Sequence, residues 1–175
     1  MWTVEARPWD DPAGSELRAR QRAELDARYG STDHEPGPAP SAADIDLFLV
    51  ARDVEGRAVA CGALRRLDCA APDHVPVPGT GRALPVARGA GGSAEIKRMF
   101  VVPDRRGSGV ATAVLDALES AARERGWTTL RLETGTAQPD AQRFYRRAGY
   151  REIPLFGSYV GSALSVCFER RLDES

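Results

Sequence analysis

The turn RRGSGVA, Arg105 to Ala111, sits between the apolar run Met99 to Val102 and a stretch with helical periodicity. Gly107 and Gly109 carry no side chain to hold a ligand off, so several main-chain N–H groups can converge at the positive end of the following helix. Such a turn suits an anion, phosphate in particular. It is not a common nucleotide loop. The chain holds no G-x-x-x-x-G-K-[ST], and G-x-G-x-x-G fails because Thr112 stands where the third glycine belongs. A diphosphate remains chemically suitable, although two glycines alone also make an ordinary strand-to-helix turn.

Other reactive side chains offer little. His34 and His74 fall in loop-like segments, so neither a Ser/His/Asp triad nor a histidine metal cluster finds support, and no metal is expected. Cys61, Cys69 and Cys167 are odd in number and widely spaced, which fits neither a disulfide framework nor a zinc site. Cys61 and Cys167 lie in apolar strand contexts and read as buried, structural thiols.

The elements that must hold the turn follow from periodicity. Trp2 to Arg7 reads as a strand, Pro12 to Tyr29 as a polar, alanine-rich helix stopped by Gly30, and Ser31 to Ser41 as a loop. Leu47 to Arg52 and Ala58 to Leu67 are β-rich runs joined by DVEG, the pattern of a hairpin. Asp68 to Gly92, dense in Pro, Gly and Ala, reads as a long irregular insertion rather than a second domain. Ala94 to Val102 is a strand ended by Pro103, after which Val110, Val114, Leu115, Leu118 and Ala122 share one helical face up to Gly126. Thr128 to Glu133 is a strand. Pro139 opens a short helix ended by Gly149, with Ala141, Phe144, Tyr145 and Ala148 turned inward. Tyr150 to Ile153 and Ala163 to Arg171 are the last strands. This order predicts an α/β fold, a central mixed, mostly antiparallel sheet flanked by helices, with at least one right-handed crossover.

Composition narrows the partners. At 175 residues a single domain spanning 1–175 is expected. The 24 basic and 25 acidic side chains are interspersed, which argues against a nucleic-acid face and for a small-molecule or peptide partner. No apolar stretch approaches a membrane span, and the polar start lacks a signal-peptide layout, so the expectation is a cytoplasmic protein away from membranes. A homodimer stays open.

The residues also resemble a family. Arg106, Gly109 and Ala111 stand in the spacing R-x-x-G-x-A, similar to the acyl-CoA pyrophosphate loop, Q/R-x-x-G-x-G/A, of the GNAT family of N-acetyltransferases. The likeness runs through AEIKRMFVVPDRRGSGVATAVLDALE, LRLETGTAQPDAQRFYRRAGY and SVCFERRL, most of Ala94 to Leu172; the N-terminal half matches only in the order of its elements. The resemblance implies a GNAT-like acyl-CoA N-acyltransferase fold and acetyl-CoA as co-substrate. Backbone amides of Arg106, Gly107, Ser108, Gly109, Val110, Ala111 and Thr112 would hold the diphosphate. Main-chain groups of Phe100, Val101 and Val102 would pair with the pantetheine arm like an added strand. Gln138 stands where family members often place a polar residue near the coenzyme, and reads equally as a solvent-facing helix start.

Acetyl transfer to an amine needs a neutral amine, a polarised carbonyl and a proton for the departing thiolate. A carboxylate usually takes the ammonium proton. The resemblance suggests Glu95 for this, with Glu133 in reserve; the bland alternative is an edge-strand Glu95 paired with Lys97 or Arg131. Tyr145, in RFYRRAGY, matches the tyrosine that protonates sulfur in many members, though by spacing alone it is a core aromatic beside Phe144. A backbone N–H of Met99 to Val101 would meet the carbonyl oxygen. The reading is an acetyl-CoA-dependent N-acetyltransferase acting by direct attack of a primary amine. A non-catalytic acyl-CoA sensor of the same fold is the alternative. The acceptor side is expected from the first helical region, the insertion and Pro154 to Gly161, with Trp9, Phe156 and Tyr159 as its aromatics.

Overall fold

The computed structural model describes residues 1–67 and 92–173. The expected insertion, apart from Gly92, lies outside these residues, as do Cys69 and His74.

The chain runs β1 (Thr3–Ala6), α1 (Pro12–Tyr29), β2 (Leu47–Arg52), β3 (Ala58–Leu67), β4 (Gly92–Val101), α2 (Val110–Glu124), β5 (Trp127–Gly135), α3 (Pro139–Arg147), β6 (Arg151–Ile153) and β7 (Ser165–Arg171). Single 3-10 turns, Pro103–Arg105 and Gly157–Tyr159, precede α2 and β7. The sheet order is β1-β2-β3-β4-β5-β7-β6. Among the described residues every pairing is antiparallel except β4 with β5, which the α2 crossover joins in parallel. The expected mixed, mostly antiparallel sheet is therefore present.

Local chemistry sets the helix ends. The Asp11 carboxylate accepts from the Gly14 N–H at 2.9 Å at the start of α1, and Gly30 closes the helix in the left-handed region, φ 63°. The Gly62 Cα faces α2, where an added Cβ would lie 3.0 Å from both Leu118 and Val114. Its neighbour Cys61 lies beside Arg18 of α1. Successive strand residues face opposite sides, so α1 and α2 cover opposite faces of the sheet. That is why β2 and β3 are buried almost throughout and read as unbroken apolar runs.

Two irregularities in β4 shape the site. Register shifts opposite Gly62, between the pairs Cys61–Phe100 and Ala63–Lys97, so β4 carries one extra residue. Within that bulge Arg98 adopts φ 56°, a conformation that L residues other than glycine rarely take. The second irregularity is a splay. Pairing of β4 with β5 ends at Ile96–Leu132, although β4 continues to Val101 and β5 to Gly135. Beyond Ile96 the two central strands part and leave a gap between them.

The far side of that gap is held by a close fit. A Cβ on Gly135 would stand 1.6 Å from the Tyr29 hydroxyl oxygen and 2.9 Å from Gln138 Nε2. Tyr29 there accepts the Ala137 N–H at 3.2 Å. Gly135→Ala is therefore expected to lower stability by about 1–3 kcal/mol, the range for forced overpacking. Thermal denaturation would show it; an unchanged Tm would contradict the packing of Tyr29 on this strand end.

Candidate coenzyme cleft and active centre

The turn before α2 is built as its glycines require. Gly107 has φ 74° and Gly109 φ 88°, and Gly109 is the residue at the α2 start, with no side chain capping the helix. Among the described residues, the amides of Gly107, Gly109, Val110, Ala111 and Thr112 have no protein acceptor. The Arg106 and Ser108 amides instead turn inward, to the Pro103 and Arg105 carbonyls at 3.3 and 3.4 Å. The expected row of seven donors is thus narrowed to five, because the 3-10 turn consumes the other two. A Cβ on either Gly107 or Gly109 would meet nothing within 4 Å, so the donors open onto free space. A diphosphate fits this cradle. The Arg106 side chain bridges the cleft mouth, donating from Nε to the Val101 carbonyl at 3.2 Å and pairing with Glu24 of α1.

From the turn a cavity of ≈ 560 Å³ runs between α1 and α3 along the parted edge of β4. Main-chain directions alternate along that strand. Val102 donates its N–H to Val59 at 2.9 Å and accepts from the Arg105 N–H at 3.0 Å. Alternation then turns the Phe100 main chain toward β3 and the Val101 main chain toward the gap. Of the three residues expected to pair with a pantetheine arm, Val101 alone can do so. Phe100 contributes its ring to the cleft wall, and Val102 faces a separate hollow beside Leu17 and Val59.

A smaller cavity, ≈ 80 Å³, shares Gln21, Leu25, Met99, Gln138, Ala141 and Tyr145 with the first, so the two form one path. Gln138 therefore faces the path and not solvent. Tyr145 is 6% exposed, and its hydroxyl has no hydrogen-bond partner among the described residues. Burial, reinforced by the nearby Glu133, pushes its pKa well above the usual phenol range, so the hydroxyl keeps its proton. Glu133 lines the smaller cavity; burial raises its pKa, against the opposing pull of Ser165 and Lys97.

Glu95 is placed differently. It is fully buried and lines neither cavity. Its carboxylate accepts from Tyr159 at 2.6 Å and Arg65 at 2.5 Å, with the Lys97 ammonium 3.7 Å away. β4 is a central strand, and Arg131 pairs with Glu169 instead. The structure brings Tyr145 and Glu133 together, and sets Glu95 behind Lys97 and Tyr159.

Several residues around the smaller cavity carried no motif. Gln21 of α1 donates from Nε2 to the Met99 carbonyl at 2.9 Å. The loop after α1 contributes His34, bound to Asp26 at 2.8 Å, and Glu35, bound to both Lys97 and Arg98. Lys97 had a signal, being the only lysine among 24 Lys and Arg residues. Of the expected acceptor-side aromatics, Tyr159 supports Lys97, whereas Trp9 packs edge-on against Phe48, 5.3 Å between ring centres, away from both cavities. Burial pushes the Cys61 thiol up to about 12 and Cys167 to about 11, so neither supplies a thiolate.

A mixed sheet parted at the one parallel pair among its described strands, with a glycine turn feeding a helix at the mouth of the gap, is the architecture of an acyl-CoA N-acyltransferase. The chain belongs to the acetyltransferase (GNAT) family, whose model matches residues 9–150. It is 39% identical over 82 residues to an IAA acetyltransferase of Azospirillum brasilense, which covers 47% of this chain and 54% of that protein. It is also 39% identical over 59 residues to an uncharacterized N-acetyltransferase of Methanocaldococcus jannaschii, covering 34% of this chain and 26% of that one. The chain thus spans about half the length, or less, of these curated relatives. Among solved structures, a candidate acyl-CoA N-acyltransferase of Klebsiella pneumoniae is 30% identical at TM-score 0.70, with 98% of each chain covered. A GNAT acetyltransferase of Elizabethkingia anophelis, solved with acetyl-CoA bound, shares the fold at 13% identity and TM-score 0.61, with 97% of each chain covered. No described helix is long and apolar enough to cross a membrane.

Proposed function

We propose that the chain transfers the acetyl group of acetyl-CoA to a primary amine of a small molecule or peptide by direct attack. The observation that carries this reading is the continuity of the site. Five acceptorless amides open onto a path that ends at an unpartnered, protonated Tyr145 hydroxyl and a half-buried Glu133. Bound acetyl-CoA supplies the activated acyl carbon. Gly107 and the amides of Gly109 to Thr112 hold its diphosphate, and Val101 pairs with its extended arm.

At the far end Glu133 accepts a proton from the incoming ammonium, directly or through water. The amine nitrogen then bonds to the acyl carbon as the carbon–sulfur bond breaks. Tyr145 gives its proton to the departing sulfur and regains one from the amide nitrogen or from solvent. A main-chain N–H of the parted strand faces the carbonyl oxygen. Protonated, buried Cys61 and Cys167 support transfer without an acyl-cysteine, and also a reducing, cytoplasmic setting.

Acetyl-CoA is expected to raise Tm, because it binds only the folded chain. Release of free thiol with an amine panel then distinguishes an enzyme from a sensor that binds without turnover. An unchanged Tm would end the reading.

The base assignment has its own signature. Because burial raises the Glu133 pKa, its carboxylate forms at a higher pH than that of a free glutamate, and the wild-type rate climbs with pH through that raised pKa. Glu133→Gln removes the base, so its deficit, on the order of 10²–10⁴-fold, is largest between the raised Glu133 pKa and the amine's own pKa and shrinks on either side. Glu95→Gln, acting on a packed network, is expected to give a deficit that does not vary with pH. The reverse pattern in the two pH–rate profiles would return the base to Glu95.

A further inference from the structure

The smaller cavity has a charge pattern that selects among amines. Lys97 is 8% exposed and lines this cavity. Its ammonium donates to the Tyr159 hydroxyl at 2.7 Å and to Glu35 Oε1 at 3.0 Å, while Glu95 lies beyond hydrogen-bond reach at 3.7 Å. One of its three N–H donors is left for a ligand. The three donors of an ammonium suit this split among two partners and a ligand, and Lys97 is the one lysine in a chain that otherwise uses arginine. Arg98 reaches the same cavity with Nη1 2.8 Å from Glu35 Oε2.

The balance of charge follows. Arg65, Lys97 and Arg98 face Glu35, Glu95 and, across the cavity, Glu133. Behind Glu35, Arg22 pairs with Asp26 and lies 3.9 Å from Glu35, and His34, which lines the cavity, binds the same Asp26 oxygen at 2.8 Å. With Glu133 ionised and His34 neutral, the three cations and three carboxylates, with the Arg22–Asp26 pair, sum to zero. Once Glu133 takes a proton from the ammonium of a substrate, one positive charge is left in a site with little water to screen it. A simple amine brings a charge of its own and leaves that excess uncompensated. A zwitterion enters with no net charge, and its carboxylate offsets the excess.

A second observation marks the other end of the acceptor. Gln21 Oε1 is buried with no hydrogen-bond partner, while Nε2 is committed to the Met99 carbonyl. The opposite amide orientation would set two oxygens against each other, so the orphan is an acceptor. Gln21 lies on the wall shared by both cavities, beside the point where coenzyme and amine must meet. A buried acceptor there is satisfied by an N–H of the substrate.

We propose that the acceptor is a small amine that also carries a carboxylate, an amino acid or a compound of the same zwitterionic pattern. Its carboxylate lies on Lys97 and Arg98, and its nitrogen between Gln21 Oε1 and Glu133. This rests on the acetyltransferase reading above.

The test compares phenylalanine with phenylalaninamide, and leucine with leucinamide, in thiol release at saturating acetyl-CoA. The amide removes the charge and keeps the shape, and its more readily deprotonated amine biases the comparison against the proposal. The amino acid is expected to have the higher kcat/KM by about ten- to a hundredfold, the range for a charged hydrogen bond. Lys97→Met is expected to bring that ratio close to one, and Arg98→Gln, on a less buried side chain, to lower it. If Lys97→Met does not fold, the wild-type ratio and Arg98→Gln still decide. Equal or faster turnover of the amides overturns the proposal and leaves the transferase reading standing. No thiol release from any of the four compounds overturns it too, and if acetyl-CoA also fails to raise Tm the transferase reading falls with it.

Discussion

Tyr145→Phe is expected to lower kcat by about 10²–10⁴-fold while leaving acetyl-CoA affinity and Tm close to wild type. The ring sits in an aromatic cluster, 5.2 Å from Phe144, 5.7 Å from Tyr150 and 6.4 Å from Phe168 between centres. Phenylalanine keeps that packing and removes only the oxygen. Among the described residues the oxygen has no partner, and Tyr145 lines both cavities, so its loss unpairs nothing there. The whole deficit then falls on the step in which sulfur departs and needs a proton. Unchanged turnover, measured by thiol release, would reduce Tyr145 to a packing residue.

Gly109→Val is expected to abolish coenzyme binding, weakening acetyl-CoA by at least about a hundredfold, the worth of two charged hydrogen bonds. Two effects add. At φ 88° a β-branched residue is strained, so the turn must rearrange and its amides no longer converge. The new side chain also projects into the space in front of them, which a Cβ finds empty to 4 Å. Gly126→Ala is the control. Gly126 has φ 72° and open surroundings at the far end of α2, so its substitution costs stability by the same backbone strain without touching the cradle. The acetyl-CoA-induced rise in Tm should vanish in the first variant and persist in the second. A full shift with Gly109→Val would place the diphosphate elsewhere.

The elements that carry this chemistry were legible because each is a local pattern. α2 shows five apolar residues on one face, bounded by Gly109 and Gly126, and the structure buries Val110, Val114, Leu115, Leu118 and Ala122 together. Pro12 and Gly30 bound α1 in the sequence, and the structure adds the Asp11 carboxylate as its N-terminal cap. Strand ends were less exact. Val102 continues the apolar run and still donates its N–H to Val59 of β3, but its carbonyl goes to the Arg105 turn, and the strand ends at Val101.

The site divides along the same line. Arg106 to Thr112 announces an anion-binding turn through glycine spacing and the helix that follows, both properties of neighbours in sequence. Which amides of that turn remain free was decided by the 3-10 turn before it. Glu95 and Glu133 lie on adjacent strands, and no spacing tells which faces the substrate. That choice depends on the parting of β4 from β5 and on the bulge at Arg98, which place Glu95 among Arg65, Lys97 and Tyr159 and leave Glu133 at the cavity. Gln21 reaches Met99 across 78 residues and Lys97 reaches Glu35 across 62, so both meetings are products of packing alone. Periodicity, caps and turn residues act over a few positions and can be read along the chain. Burial, charge balance and access to a cavity are set by elements far apart in it, and only the folded sheet brings them together.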